Sequence, residues 1–175
     1  MFVCAGESEQ FDFATPIGIG PVDAAINLTR LCLMQPPEFL VFVATAGSYG
    51  RKEIFEIVES RTAANIEIGF FENKSYTPID NVVSTAENVS RETIVNSSAY
   101  ITTDPNTSAQ FLEHNIDLEN MEFYAVLKVA KALNIPAGGV FIVTNYCDET
   151  AHETFLRHHD EAKKRLSEYI RTRHG

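Results

Sequence analysis

Glu122 stands in the run Asn120-Met121-Glu122-Phe123, at the head of a segment whose apolar residues recur with helical spacing. A carboxylate at a helix start is favourable in itself, so capping is one use for it. Glu119, three residues earlier, could fill that role. Glu122 would then be free to accept two hydroxyl hydrogen bonds, as a ribose 2′,3′-diol would supply. Asn145 follows the apolar run Val140-Phe141-Ile142-Val143, where its amide could bond a base edge or cap the next helix. Two glycine turns lie upstream. Gly18-Ile19-Gly20-Pro21 could be a plain strand-to-helix turn, or could aim backbone N–H groups at an anion or sugar from a helix N-terminus. It lacks the third glycine of a dinucleotide fingerprint. In Gly47-Ser48-Tyr49-Gly50 the glycines would let backbone approach a ligand while Ser48 offers a hydroxyl. Arg51 behind it could balance an anion or lie exposed. His152, His158 and His159 have no carboxylate or cysteine at ligand spacing and read as structural or exposed, so no metal is expected.

The elements that must position these groups alternate along the chain. Strands are expected at 2–5, 11–17, 39–45, 54–58, 66–71, 93–95, 99–102 and 138–143. Helices are expected from Pro21 to about Met34, stopped by Pro36-Pro37, from Pro105 to about His114, from Met121 to Leu133 and from Thr150 to about Thr172. Residues 73–88 read as polar and turn-rich. The pattern predicts one α/β domain over residues 1–175, with a mixed, twisted β-sheet flanked by helices. In such a sheet small-molecule sites form beyond the carboxyl ends of the strands.

Composition narrows the partners. A formal net charge of -10 provides no electrostatic footprint for nucleic acid or an anionic membrane surface. The basic residues between Lys163 and Arg173 are interleaved with Glu168, which suits a solvated helix face. Cys4, Cys32 and Cys147 are far apart and form no CxxC pair, the usage of reduced cytosolic thiols. The start, Met1-Phe2-Val3-Cys4-Ala5, has no basic flank and reads as a first strand rather than a signal peptide; no run reaches membrane-spanning length. A cytoplasmic location is expected.

Four segments in order resemble the nucleoside phosphorylase and nucleosidase superfamily. Gly18-Ile19-Gly20-Pro21-Val22-Asp23-Ala24-Ala25 is similar to its GIGxxxAA segment, and Gly47-Ser48-Tyr49-Gly50 to its GSxG loop. Asn120-Met121-Glu122-Phe123-Tyr124-Ala125 resembles its EMExxA helix start, and Val143-Thr144-Asn145 with His152 and Phe155 its strand-final SD segment and following helix. The resemblance implies cleavage of the N-glycosidic bond of a purine-type nucleoside through an oxocarbenium-like transition state. It assigns the ribose hydroxyls to Glu122 and sugar packing to Met121. Phosphate or the attacking water falls to Gly20, Gly47, Ser48, Gly50 and Arg51. Glu7 or Glu9 would activate water, and Asn145, Thr103 and Asp104 would face the base. Phosphorolysis is the expected reaction, with inorganic phosphate as co-substrate and no other cofactor. The alternatives are hydrolysis and nucleoside or base binding without turnover.

The chain departs from the family pattern in three ways. Asn145 stands where bacterial members usually place Asp, a proton donor to the purine ring, and an amide cannot donate a proton in that way. The chain is short for the family. No N-terminal arginine precedes Arg30, which leaves Arg51, Arg61 and Arg91 as substitutes. The family also implies a homo-oligomer, most simply a symmetric dimer.

Overall fold

The computed structural model describes residues 1–88, 90 and 92–174. Arg91 lies outside the described residues. The longest strands are β3 (Leu40–Ser48) and β9 (Ala137–Tyr146), which run parallel and form the centre of the sheet. Short strands extend it: β1 (Phe2–Cys4), β2 (Thr15–Pro16), β4 (Ile57–Ser60), β5 (Thr62–Ala64), β6 (Val82–Ser84), β7 (Ile94–Ser97) and β8 (Ile116–Asn120). β3 pairs with β1 in parallel along its first half and with β8 antiparallel at its end. β9 pairs with β4, and β4 passes through Arg61 alone into β5. The Ser60 hydroxyl donates to the Thr62 carbonyl and accepts the Thr62 N–H across that bend. β5 pairs with β7 and β7 with β8, so the ladder returns to β3 and closes on itself. This is the mixed, twisted sheet expected.

Five helices are α1 (Gly20–Met34), α2 (Ile68–Phe71), α3 (Pro105–Glu113), α4 (Phe123–Ala132) and α5 (Ala151–His174). Alternation along the central strands feeds two cores. Phe42, Ala44, Phe141 and Val143 pack with Ala24 and Leu28 of α1 and with Phe123, Val126 and Leu127 of α4. Val43, Val140 and Ile142 point the other way, onto Ala162, Leu166 and Ile170 of α5. Gly139 is required by the first core: a Cβ there would come within 2.6 Å of the Phe141 ring and 2.7 Å of the Phe123 ring. No helix among the described residues is long and apolar enough to cross a membrane.

Several expected elements take another form. Only Thr15–Pro16 of the expected strand at 11–17 joins the sheet. Phe11, Phe13 and Ala14 are apolar because they pack in the core beneath α5, not because they form a ladder. The alternating Ile66, Ile68, Phe70 signalled a strand, yet residues 68–71 form a helical turn with Phe71 edge-on to Phe111. Residues 99–102 form no strand. β8 was hidden in the sequence because it carries Asp117 and Glu119. Both are buried, and each is matched inside the fold, Asp117 by Arg51 and Glu119 by Tyr49 and Thr102. The polar segment after Asn73 is held by its own chain: the Asn65 N–H donates to the Asn81 carbonyl and the Tyr124 hydroxyl to the Asp80 carbonyl.

Candidate active site

A cavity of about 290 Å³ opens at the carboxyl ends of β1, β3, β8 and β9, where an α/β sheet of this kind forms its sites. Glu9, Thr45, Glu119, Asn120, Glu122 and Asn145 are among its polar lining residues, while Ile19, Ile101, Met121 and Phe155 contribute apolar surface.

Glu9 arrives through a tight turn after β1. The Glu9 N–H bonds the Gly6 carbonyl at 2.9 Å, and Glu7 at the tip takes a left-handed φ of 51°. Lys163 of α5 pins the turn by donating to the Ser8 carbonyl at 2.9 Å. The turn exposes Glu7 and brings Glu9 to the cavity. The Glu9 carboxylate accepts the Thr45 N–H at 3.3 Å and the Thr45 hydroxyl. Burial pushes its pKa up to about 7, the nearby charge of Glu122 adds to the rise, and the bonds from Thr45 offset part of it. A carboxylate tuned to that range suits a general base at neutral pH.

Glu122 sits immediately before α4 and is 3% exposed. It does not cap its own helix. Asn120 does, its side-chain oxygen accepting the N–H groups of Glu122 at 2.7 Å and Phe123 at 2.9 Å. Glu119, the expected cap, lies inside β8 instead. Glu122 Oε1 accepts the N–H of Gly20, the first residue of α1, at 2.8 Å. Burial raises the pKa of Glu122 and the Gly20 N–H pulls it back.

A bulge places the β9 residues. β3 and β9 run in register to Ala46 opposite Val143, then Gly47 faces Asn145, so Thr144 is the extra residue. Strand neighbours ordinarily face opposite ways; here Thr144 and Asn145 both reach the cavity. The carbonyl of Thr144 is bonded to Nδ1 of His158 at 2.8 Å. Asn145 donates to the Tyr146 carbonyl at 3.0 Å and accepts the Thr144 hydroxyl at 2.9 Å. Gly47 is needed beside it, since a Cβ would lie 2.7 Å from Cys147 Sγ and 3.2 Å from Asn145 Nδ2.

The structure thus brings Glu9, Gly47, Met121, Glu122 and Asn145 to one cavity. Gly20 touches it only through its bond to Glu122. Ser48 is fully buried and accepts the N–H groups of Gly50 and Lys52, so it builds the turn. Gly50 takes a φ of 130° in that turn and does not line the cavity. Arg51 pairs with Asp117 at 2.5 Å and also donates to the Leu112 carbonyl. Thr103 and Asp104 are exposed and outside the cavity lining; Asp104 caps α3 by accepting the Thr107 N–H at 2.9 Å. Among the described residues, no lysine or arginine lines the cavity. Arg61 does not line the cavity; its backbone N–H donates to Glu92, and with Arg173 it lines a separate groove. Among the described residues no cluster of three or more His, Cys, Asp or Glu could hold a metal ion. Thr45, Ile101 and Glu119 also line the site and were not expected there. Thr45 lay in the apolar run of β3, and the apolar Ile101 in an expected strand.

Residues 74–172 match the Phosphorylase superfamily, more than half of the 175-residue chain. The chain belongs to that superfamily. Solved structures agree at the level of fold. The 5′-methylthioadenosine/S-adenosylhomocysteine nucleosidase from Helicobacter pylori with butyl-thio-DADMe-Immucillin-A has a TM-score of 0.77 at 13% identity, covering 91% of this chain and 77% of that one. The S-adenosylhomocysteine nucleosidase from Streptococcus pyogenes in complex with 5-methylthiotubericidin has a TM-score of 0.78 at 13% identity, covering 97% and 92%. The futalosine hydrolase of Helicobacter pylori has a TM-score of 0.77 at 13% identity, covering 90% and 76%. A comparison with curated proteins gives no match. The Phosphorylase superfamily fold therefore carries, in this chain, a cavity at its strand ends lined by three acidic side chains, Glu9, Glu119 and Glu122.

Proposed function

We propose that this chain hydrolyses the N-glycosidic bond of a purine-type nucleoside. The observation that carries the reading is the pairing of Glu9 and Glu122 in one cavity where, among the described residues, no lysine or arginine forms part of the lining. A phosphate dianion would meet the acidic side chains of Glu9, Glu119 and Glu122 there and, among the described residues, no lysine or arginine in the lining to bind it, whereas water and a ribose diol suit Glu9 and Glu122. This moves the weight from phosphorolysis, the expectation from the sequence, to hydrolysis.

In this reading the nucleoside lies with its sugar over Met121 and its ribose hydroxyls on Glu122. As the C–N bond breaks, positive charge develops on the ribose, and the carboxylates of Glu122 and Glu9 stabilise it. Glu9, held by Thr45, takes a proton from the water that attacks the anomeric carbon. Asn145 hydrogen-bonds the base. The similar nucleosidases and futalosine hydrolase support the choice of reaction. Binding without turnover is the second reading, favoured by the amide at Asn145.

Incubation with inosine, adenosine and methylthioadenosine, with and without phosphate, tests the choice by the base released. Hydrolysis gives equal release in both buffers. Release that depends on phosphate contradicts it, and binding with no release supports the second reading. We place the reaction in the cytoplasm, in keeping with three free, buried cysteines. We also propose a homo-oligomer: α1 leaves Val22, Ile26, Leu33 and Met34 exposed. A monomer by light scattering at micromolar concentration would contradict the assembly.

A further inference from the structure

Glu119 is a buried carboxyl in the cavity lining that the hydrolysis scheme leaves unused. Its place in the sheet is specific. Gly47 of β3 is the Cα partner of Glu119 on β8 and of Asn145 on β9, so the three residues form one row across neighbouring strands. The middle member has no side chain. Asn145 Nδ2 and Cys147 Sγ lie 3.2 and 2.7 Å from where its Cβ would be, and Cys147 Sγ is 4.0 Å from Glu119 Oε1. The two oxygens of Glu119 differ. Oε2 accepts the hydroxyls of Tyr49 at 2.9 Å and Thr102 at 2.5 Å. Oε1 accepts the Thr102 N–H at 2.8 Å and the Cys147 thiol at 4.0 Å.

Departure of a purine puts an electron pair on the base, and a proton delivered to N7 relieves it. Asn145 has no such proton to give. We propose that Glu119, from the opposite side of Gly47, is the acid that protonates the departing base; this rests on the hydrolysis reading. The C–N bonding pair goes to the base and the proton on Glu119 Oε1 goes to N7. The water oxygen bonds the anomeric carbon and its proton goes to Glu9. Proton exchange with solvent then restores protonated Glu119 and ionised Glu9, and nothing is oxidised or reduced. Burial raises the Glu119 pKa, against the bonds from Thr102 and Tyr49 that lower it. The titratable groups facing it are Tyr49 and Cys147, both pushed well above their ordinary values by burial and so neutral in the working range. Glu122 and Glu9 are the other titratable carboxyl groups that line the cavity.

A nucleoside methylated at N7 tests the assignment, because its base leaves without needing a proton. Glu119→Gln keeps the shape and removes the proton. It should slow base release from the unmethylated nucleoside about 100-fold or more, and change release from the 7-methyl nucleoside less than about threefold. Equal losses on both would reduce Glu119 to an anchor for Thr102 and overturn the proposal, as would no loss on either. Should the variant not fold, the wild-type pH profiles decide. An alkaline fall for the unmethylated nucleoside that is missing for its 7-methyl form supports the acid, and matching profiles overturn it. A wild type that cleaves only the unmethylated form also overturns it. A wild type that cleaves neither removes the hydrolysis reading and this proposal together, whereas normal hydrolysis with matching profiles removes Glu119 alone.

Discussion

The N–H of Gly20 donates to Glu122 Oε1 at 2.8 Å, joining residues 102 apart in sequence. The bond aims the positive end of α1 at a buried carboxylate beside α4. It explains how an acid that is 3% exposed is tolerated in the fold, and it gives Glu122 a structural duty besides its proposed contact with ribose.

The two duties separate on substitution. Glu122→Gln can still accept from Gly20 but loses charge, so turnover or nucleoside affinity should fall by about one to three orders of magnitude, at ~1.4 kcal/mol per tenfold, with little change in melting temperature. Glu122→Ala should harm function at least as much. It should also destabilise by about 1–3 kcal/mol, because the Gly20 N–H is left without its buried partner. Thermal melts and binding isotherms on the same two variants check this. Unchanged affinity in Glu122→Gln would remove the residue from the site.

Glu9 ties stability to pH in a definite direction. Its folded pKa of about 7 lies above its ordinary value, so the fold holds its proton more tightly than the unfolded chain does. The stabilisation is complete below the unfolded pKa and is lost as pH rises through about 7. Turnover should move the opposite way, since only ionised Glu9 accepts a proton from water, and should rise with a midpoint near 7. Glu9→Gln should therefore raise the melting temperature at alkaline pH while lowering turnover about 100-fold or more. A destabilised variant with normal turnover would place Glu9 outside the chemistry.

Gly47→Ala tests the row at the strand ends. Its backbone angles do not demand glycine, but a methyl would meet Cys147 Sγ and Asn145 Nδ2. Displacing them should cost about 1–3 kcal/mol of stability and lower base affinity. Wild-type affinity with wild-type stability would mean that the neighbours move aside freely.

Arg51→Ala should leave turnover within about twofold, with or without phosphate, because Arg51 pairs with Asp117 instead of lining the cavity. The stability loss should be about 1 kcal/mol or less, as for a partly exposed pair. A loss of turnover restricted to phosphate buffer would return Arg51 to an anion site.

The sheet and its main helices were legible because their apolar runs are long: β3, β9, α1 and α4 all fall where hydropathy and proline positions put them. β8 was not, because two acids stand in its five residues and their partners lie as far away as Arg51 and Tyr49. The same holds for the cavity. Local patterns suggested Glu122, Gly47 and Asn145 as ligand-facing. They could not tell Glu7 from Glu9, since the choice depends on one left-handed residue at a turn tip. They also could not reveal that Ser48 is spent on its own turn or that Glu119 faces Asn145 across Gly47.

The sugar product formed from a purine nucleoside in excess phosphate tests the central claim most directly. Attack by water under Glu9 gives free base and an equal amount of reducing sugar, even with phosphate abundant. A sugar 1-phosphate in place of reducing sugar, or binding with no product at all, would contradict it.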